Sequence, residues 1–366
     1  MRPGSAFPWR EKLEALVIPA GALLVSLTLF GLFCSMNGAH ALDVFASINK
    51  GAFGSWFAFQ STLVRAAPLM LCALCTAIPI RLGLVVIGNE GAFVIGGLCA
   101  IIVGLRLPEA SPFTLHLVMA ASGMLAGGLW IMLAGALKHY RGVNETICTL
   151  LLNYIAIALL NQAVNTWIKD PASLNKPSSF PIPDERMMQP ITLPENLAQW
   201  ADVPPETSLH WGLAFGVAAC LLCWFLLRKT TFGFQVRTIG ANVRAAKLAG
   251  LPVGLVTLAT CFLAGMWPGL AGMVEIAAVQ GSANEALNAG YGYVGILVAF
   301  LARQNPLGCV LISVLLGGLL ASGGMLQRVH HLPDATILVF QGIVFVAILF
   351  SESLYGRWGF FKTKQA

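Results

Sequence analysis

Apolar residues in this chain fall in long unbroken runs, bounded by charges or by clusters of Pro and Gly, and not in the two-residue alternation of a half-buried strand. The runs lie at roughly 15–36, 63–80, 87–105, 114–137, 145–164, 211–227, 252–279, 292–304, 307–323 and 336–350, and they predict about ten helical segments. Crossing a hydrocarbon core takes about 20 residues, so several runs are short, and 292–304 suits a re-entrant segment. The expected fold is therefore all-α: one polytopic membrane helix bundle over 1–366, with about ten segments or eight full spans plus broken pieces. The first run has 22 residues, more than a signal-peptide core, and predicts an uncleaved helix even though Ala39-His40-Ala41 imitates a cleavage site.

Composition removes the soluble alternatives. Hydrophobic residues make up 57% and charged residues 10%, against about 25% charged in soluble globular chains. The net charge of +6 then reads as positive loops and not as a nucleic-acid surface, because no basic run is interleaved with aromatics. Loop 138–143 carries Lys138, His139 and Arg141, and 228–250 carries Arg228, Lys229, Arg237, Arg244 and Lys247, both without an acid. Between them, 165–210 has six acids (Asp170, Asp184, Glu185, Glu195, Asp202, Glu206), three bases and eight prolines. The positive-inside rule places the two basic loops in the cytoplasm and the Pro-rich stretch outside as an irregular cap. An N-in, C-in topology closes with the basic tail Arg357, Lys362 and Lys364.

Catalytic chemistry is scarce. No Gly-Lys dipeptide exists to build a phosphate-binding loop, and HExxH is absent. The cysteine pairs Cys72/Cys75 and Cys220/Cys223 lie in apolar runs without the charge or second pair that redox or zinc chemistry requires. Intramembrane carboxylates are limited to Glu90, Glu145 and Glu275. A transport path suits such a chain better than an enzyme.

Four regions carry that path. Ile87-Gly88-Asn89-Glu90-Gly91 breaks an apolar helix, and such breaks survive in membranes only inside protein or beside a wet cavity. The alternative is a helix start capped by Asn89 or Glu90. Glu145, Thr149 and Asn153, next to Tyr154, share one helix face, which suits a pore or interhelical hydrogen bonding. Asn242 caps a short helix of small residues ending at Gly250, with Ala245, Ala246 and Ala249 on one side, as a docking element would have. Gly290-Tyr291-Gly292-Tyr293 opens a second Gly-interrupted segment, and paired breaks in the two halves of a transporter point to a midplane binding site.

Together these pieces resemble the membrane-spanning subunit of bacterial ABC importers, in the simple-sugar and nucleoside permease family related to ribose and branched-chain amino acid permeases. The resemblance rests on Ile87-Gly88-x-Glu90-Gly91, Asn144-Glu145 with Leu152-Asn153-Tyr154, Arg237-x-x-Gly240-x-Asn242-x-x-Ala245-Ala246-x-x-Ala249-Gly250, and Gly292-x-x-Gly295 through Arg303-x-x-Pro306-x-Gly308. Val86 and Ala92 depart from the nucleoside subgroup, which has Asn and Gln there. The resemblance implies a subunit of the bacterial inner membrane that imports a nucleoside or simple sugar. It implies three partners: a cytoplasmic ATPase, a periplasmic or lipid-anchored solute-binding protein, and a second permease. ATP would be bound by the ATPase, with no cofactor in this chain. Arg237, Gly240, Asn242, Arg244, Ala245, Ala246 and Gly250 would form the coupling segment on which the ATPase docks. Asn89, Glu90, Asn153, Tyr154 and Tyr293 would line the solute path. The rival class is an ion-coupled secondary transporter or channel, which would use Glu90 or Glu275 for its coupling ion.

Overall fold

The computed structural model describes residues 8–173, 176–192, 204, 207–333 and 335–354. Glu195, Asp202 and Glu206 of the Pro-rich stretch, and Arg357, Lys362 and Lys364 of the tail, lie outside them. All ten expected segments are helical, and no strand forms among the described residues. Four helices have no counterpart in the apolar pattern: Ala41–Phe53, Thr231–Ala241, Val243–Leu248 and Gly323–His330. All four carry polar residues in their interiors, so none stands out as an apolar run. Six helical stretches are long and apolar enough to cross a membrane: Trp56–Leu82, Pro112–Arg141, Glu145–Trp167, Gly212–Lys229, Val253–Gln280 and Pro306–His330. A seventh crossing arises if Gly21–Met36 and Ala41–Phe53, bent by 110°, count as one broken span.

The chain forms two compact units. Residues 1–58 and 319–366 make the first, which contains α1 (Pro8–Met36), α2 (Ala41–Phe53), α13 (Gly323–His330) and α14 (Ala335–Leu354). Its turn after α1 passes through Gly38 at φ +81°, a conformation open to glycine at little cost. Phe30 stacks on Phe340 at 4.3 Å between ring centres, and Ser47 Oγ is 2.8 Å from His330 Nε2.

Residues 59–318 make the second unit. In order it holds α3 (Trp56–Ala77), a 3-10 turn (Pro79–Leu82), α4 (Asn89–Leu105), α5 (Pro112–Arg141), α6 (Glu145–Gln162), α7 (Gly212–Lys229), α8 (Thr231–Ala241), α9 (Val243–Leu248), α10 (Val253–Glu275), α11 (Tyr291–Leu301) and α12 (Pro306–Ala321). Its centre is the trio α4, α5 and α10. Lipid supplies no hydrophobic drive for helices to associate, so close approach at small residues must hold them. Gly96 and Gly123 both meet Gly269, and Gly127 meets Gly265; a methyl group at Gly269 would overlap the Gly123 carbonyl. At about 1.5 Å per residue, the 17 residues of α4 and the 11 of α11 are shorter than a hydrocarbon core.

The described part of the Pro-rich stretch is irregular, as its composition implies. It straps the end of α10 through backbone bonds, with Ser179 N donating to Ala283 O at 2.8 Å and Met188 N to Ala277 O at 2.8 Å. Beyond the strap, Gln60 Oε1 accepts from both the backbone N and the Oγ of Ser208. The buried His210 ring accepts from Gly212 N at 3.1 Å. Burial pushes its pKa down to about 4.

Two outcomes follow from this packing. Gly269→Val should cost about 3 kcal/mol and sharply reduce folded protein, while Gly342→Ala, which meets open space, should not. Fluorescence-detected gel filtration of both variants checks this. His210 binds its proton more weakly folded (about 4) than unfolded (about 6.5), so the unfolded chain carries more protons between those values. Stability should therefore drop by about 1–3 kcal/mol as pH falls from 7 towards 4. His210→Asn keeps an acceptor without titrating, so its thermal midpoint should depend less on pH; equal slopes for both proteins would dismiss the effect.

Candidate functional site

The two Gly-flanked breaks, some 200 residues apart in sequence, meet inside the second unit. Between the 3-10 turn and α4 the chain is non-helical, so its backbone groups need partners where water is scarce. Side chains from α3 and α6 supply them. Asn89, fully buried, donates through Nδ2 to Cys72 O and to Thr76 Oγ1, both at 3.0 Å, and Thr76 Oγ1 donates to Val86 O. From the other side, Asn153 Nδ2 donates to Ile87 O at 2.9 Å and its Oδ1 accepts from Gly91 N at 2.8 Å. Thr149 Oγ1 accepts from Ile87 N, and Thr146 Oγ1 donates to Val85 O. Of the two roles open to the polar face of α6, hydrogen bonding between elements is the one these contacts fill.

Glu90 completes the junction. Its side chain is fully buried, with Oε1 accepting from Gly290 N at 2.8 Å and Oε2 from Gly292 N at 2.6 Å. It thus caps α11, not its own helix α4. Free amides and the positive end of a helix dipole make an N-terminus a natural seat for a carboxylate. The approach is so close that a Cβ at Gly292 would strike the Glu90 backbone, so only glycine fits there. A carboxylate directed at amides in this way is poorly placed to coordinate a cation, which weighs against an ion-coupling role for Glu90.

The other residues expected along the path, Tyr154 and Tyr293, reach the surface of the unit. Tyr293 is 40% exposed and hydrogen-bonds Asn153, and Tyr154 is 61% exposed. Glu145 turns away to Lys138 at 2.8 Å. One neighbour escaped the sequence reading. Arg65, exposed on the span-forming α3, bonds the Tyr291 side chain and faces Glu275, whose Oε1 accepts from Gln280. A charge inside an apolar run was the available signal, because such charges line polar paths. Elsewhere in this unit a cavity of about 660 Å³ is lined by Phe113, Leu117, Met124, Trp211, Phe215 and Met273. Apart from His116 and the Trp211 indole its wall is apolar, which suits a polar solute poorly.

The expected coupling segment is a built element. Thr230 caps α8, and Arg237 Nη1 donates to Leu227 O. Gly240 lies against the Arg81 carbonyl, where a side chain would collide. Asn242 Oδ1 then accepts from Arg244 N (3.0 Å) and Ala245 N (3.1 Å) to start α9, and Gly250 at φ +77° follows its end. Ala246 is fully buried and faces the chain itself, whereas Leu248 is 91% exposed beside exposed Val243, Arg244 and Lys247. Of the three alanines only Ala246 turns inward, so α9 offers Leu248 outward together with Ala245 and Ala249.

Residues 58–349 match the family described as the branched-chain amino acid transport system permease component. The chain belongs to that family. It is a multi-pass membrane transport component, not an enzyme. The guanosine ABC transporter permease protein NupP of Bacillus subtilis is 27% identical over 347 residues, 94% of this chain and 95% of that protein. The glucose ABC transporter permease protein TsgB13 of Haloferax volcanii is 28% identical, covering 91% and 87%. A second B. subtilis protein, the guanosine ABC transporter permease protein NupQ, is 25% identical and covers 79% and 89%.

The junction predicts an ordered mutational response. Glu90→Gln turns one acceptor into a donor facing an amide, and should cost about 1–3 kcal/mol of stability. Tyr293→Phe, at the rim, should leave the thermal midpoint of the purified permease unchanged. The opposite ranking would remove Glu90 from its capping role.

Proposed function

We propose that this chain is the permease subunit of an ATP-driven, binding-protein-dependent importer in a bacterial inner membrane, carrying a nucleoside or simple sugar inward. Family membership supports the class, and the observation that carries the mechanism is α9, a capped helix presenting Leu248 beside Arg244 and Lys247. An isolated leucine that exposed on a basic helix suits insertion into a groove on an ATPase subunit. ATP-driven movement of the ATPase would reach the membrane through α8 and Gly240. A solute-binding protein would dock on the opposite end, which includes 165–210.

The solute class rests on the guanosine and glucose permeases among the relatives, and on the uncharged, hydrogen-bonding character of Tyr154 and Tyr293. These residues lie at or beside an open rim, which in this reading faces a second permease across the path. Resemblance to both NupP and NupQ of one organism favours a distinct second chain over an identical copy.

Leu248→Glu and Arg244→Glu should each abolish uptake and co-purification of the ATPase, with membrane insertion and thermal midpoint preserved. Mass spectrometry of the gently solubilised complex, with solute uptake in cells, reads both effects. A pure single chain that transports solute without ATP in proteoliposomes would replace this reading with a secondary transporter.

A further inference from the structure

Three arginines from three elements converge where α3 and α7 end. Arg81 sits in the 3-10 turn after α3, Arg228 in the last turn of α7, and Arg237 on α8. Arg237 donates to the carbonyl of Leu227, the neighbour of Arg228, and Gly240, one turn further along, touches the Arg81 carbonyl. Arg237 and Arg228 both repel the Arg81 guanidinium. Among the described residues no carboxylate pairs with any of the three. The segments that build the cluster, 79–89, 226–250 and 302–308, contain no Asp or Glu. Arg81 uses Nη2 on Gln304 O at 3.0 Å, but its buried Nε has no acceptor among the described residues.

Arg81 is half-buried while Arg228 and Arg237 are exposed, so two like charges face water beside a third that is partly dehydrated. Its buried donor without an acceptor carries a cost, and the cluster therefore suits an anion with several oxygens. Guanidinium groups match phosphate in geometry as well as charge. The surroundings indicate where such an anion resides. Trp224 lies under Arg228, 5.7 Å from ring centre to guanidinium carbon, and Phe225 and Phe234 are both more than half exposed. Aromatic side chains beside arginines at the end of a span mark the boundary between hydrocarbon and headgroups, which is the level of phospholipid phosphates.

We propose that Arg81, Arg228 and Arg237 form a binding site for the phosphate of an anionic phospholipid. The lipid would hold together the end of α7, the turn after α3 and α8. Through that contact, headgroup charge would bear on the segment that carries α9.

Native mass spectrometry of the purified full chain in detergent, with equal phosphatidylglycerol and phosphatidylcholine added, tests the site. Wild type should retain phosphatidylglycerol selectively, and Arg228→Gln and Arg237→Gln should each weaken that retention about fivefold without changing phosphatidylcholine. Arg81→Gln also breaks the bond to Gln304, so the other two variants carry the test, and a thermal midpoint confirms that each is folded. Equal retention by wild type and the Arg228→Gln/Arg237→Gln double variant would overturn the proposal. So would stabilisation of wild type by inorganic phosphate equal to that by phosphatidylglycerol, or release of the bound lipid when the ATPase subunit docks.

Discussion

Two helices of this permease, α4 and α11, start amid apolar packing, and each opens with amides that have no partner within its own helix. In a membrane those groups must be satisfied by protein. The carboxylate of Glu90 answers for α11 by taking the amides of Gly290 and Gly292 on its two oxygens, while Asn153 takes the amide of Gly91 for α4. The other polar contacts around the break serve this junction. Asn89 and Thr76 hold the incoming segment against α3, and Thr146, Thr149 and Asn153 hold it against α6. Gly292 has no side chain because the two helix starts must touch.

The far end of α11 is bound to the same stretch of chain. After Leu301 the backbone turns through Arg303 (φ 49°) and Gln304 (φ 58°), and the Gln304 carbonyl accepts from Arg81. The segment from Arg81 to Glu90 therefore holds α11 at both ends. Gly240 of α8 leans on the Arg81 carbonyl, so α9, through α8, reaches this segment by direct contact. On the proposed reading, a displacement imposed on α9 passes from α8 to the turn at Arg81. From there it reaches the junction at Glu90 along the non-helical stretch that Thr76, Thr146, Thr149 and Asn153 hold by hydrogen bonds.

How much of this was legible in the sequence depends on the range of the interaction. Local features read well. Asn242 as a cap, Gly250 after the helix end and the break at Gly88 are each decided by neighbouring residues, and the helical runs follow from apolar periodicity. The break itself was visible, but the object that Glu90 caps was not, because the contact between residues 90 and 290 has no local signature. Ala246 shows the same limit on a smaller scale. Its composition matches that of Ala245 and Ala249, and only packing against the body of the chain turns it inward and leaves Leu248 outside. Arg65 was readable in principle, as a charge in an apolar run, but its partners Tyr291 and Glu275 lie more than 200 residues away.

The brevity of α11 is what makes such a junction useful for transport. A helix of 11 residues, about 16 Å long, cannot be held by the bilayer at both interfaces as a full span is. Its position depends instead on the surrounding protein: on hydrogen bonds at each end, worth about 0.5–1.5 kcal/mol net apiece, and on the burial of Val294, Ile296, Leu297, Val298 and Ala299. By contrast, α4, α5 and α10 interlock through glycines that leave no room for sliding. α11 makes such close approaches of its own, Gly292 against the Glu90 backbone and Gly295 against Cys72, beside the exposed Tyr293 and Tyr154. On the proposed reading, a movement of α11 around a polar solute would therefore have to remake the bonds at Glu90 and Gln304 and shift its packed apolar neighbours together with it.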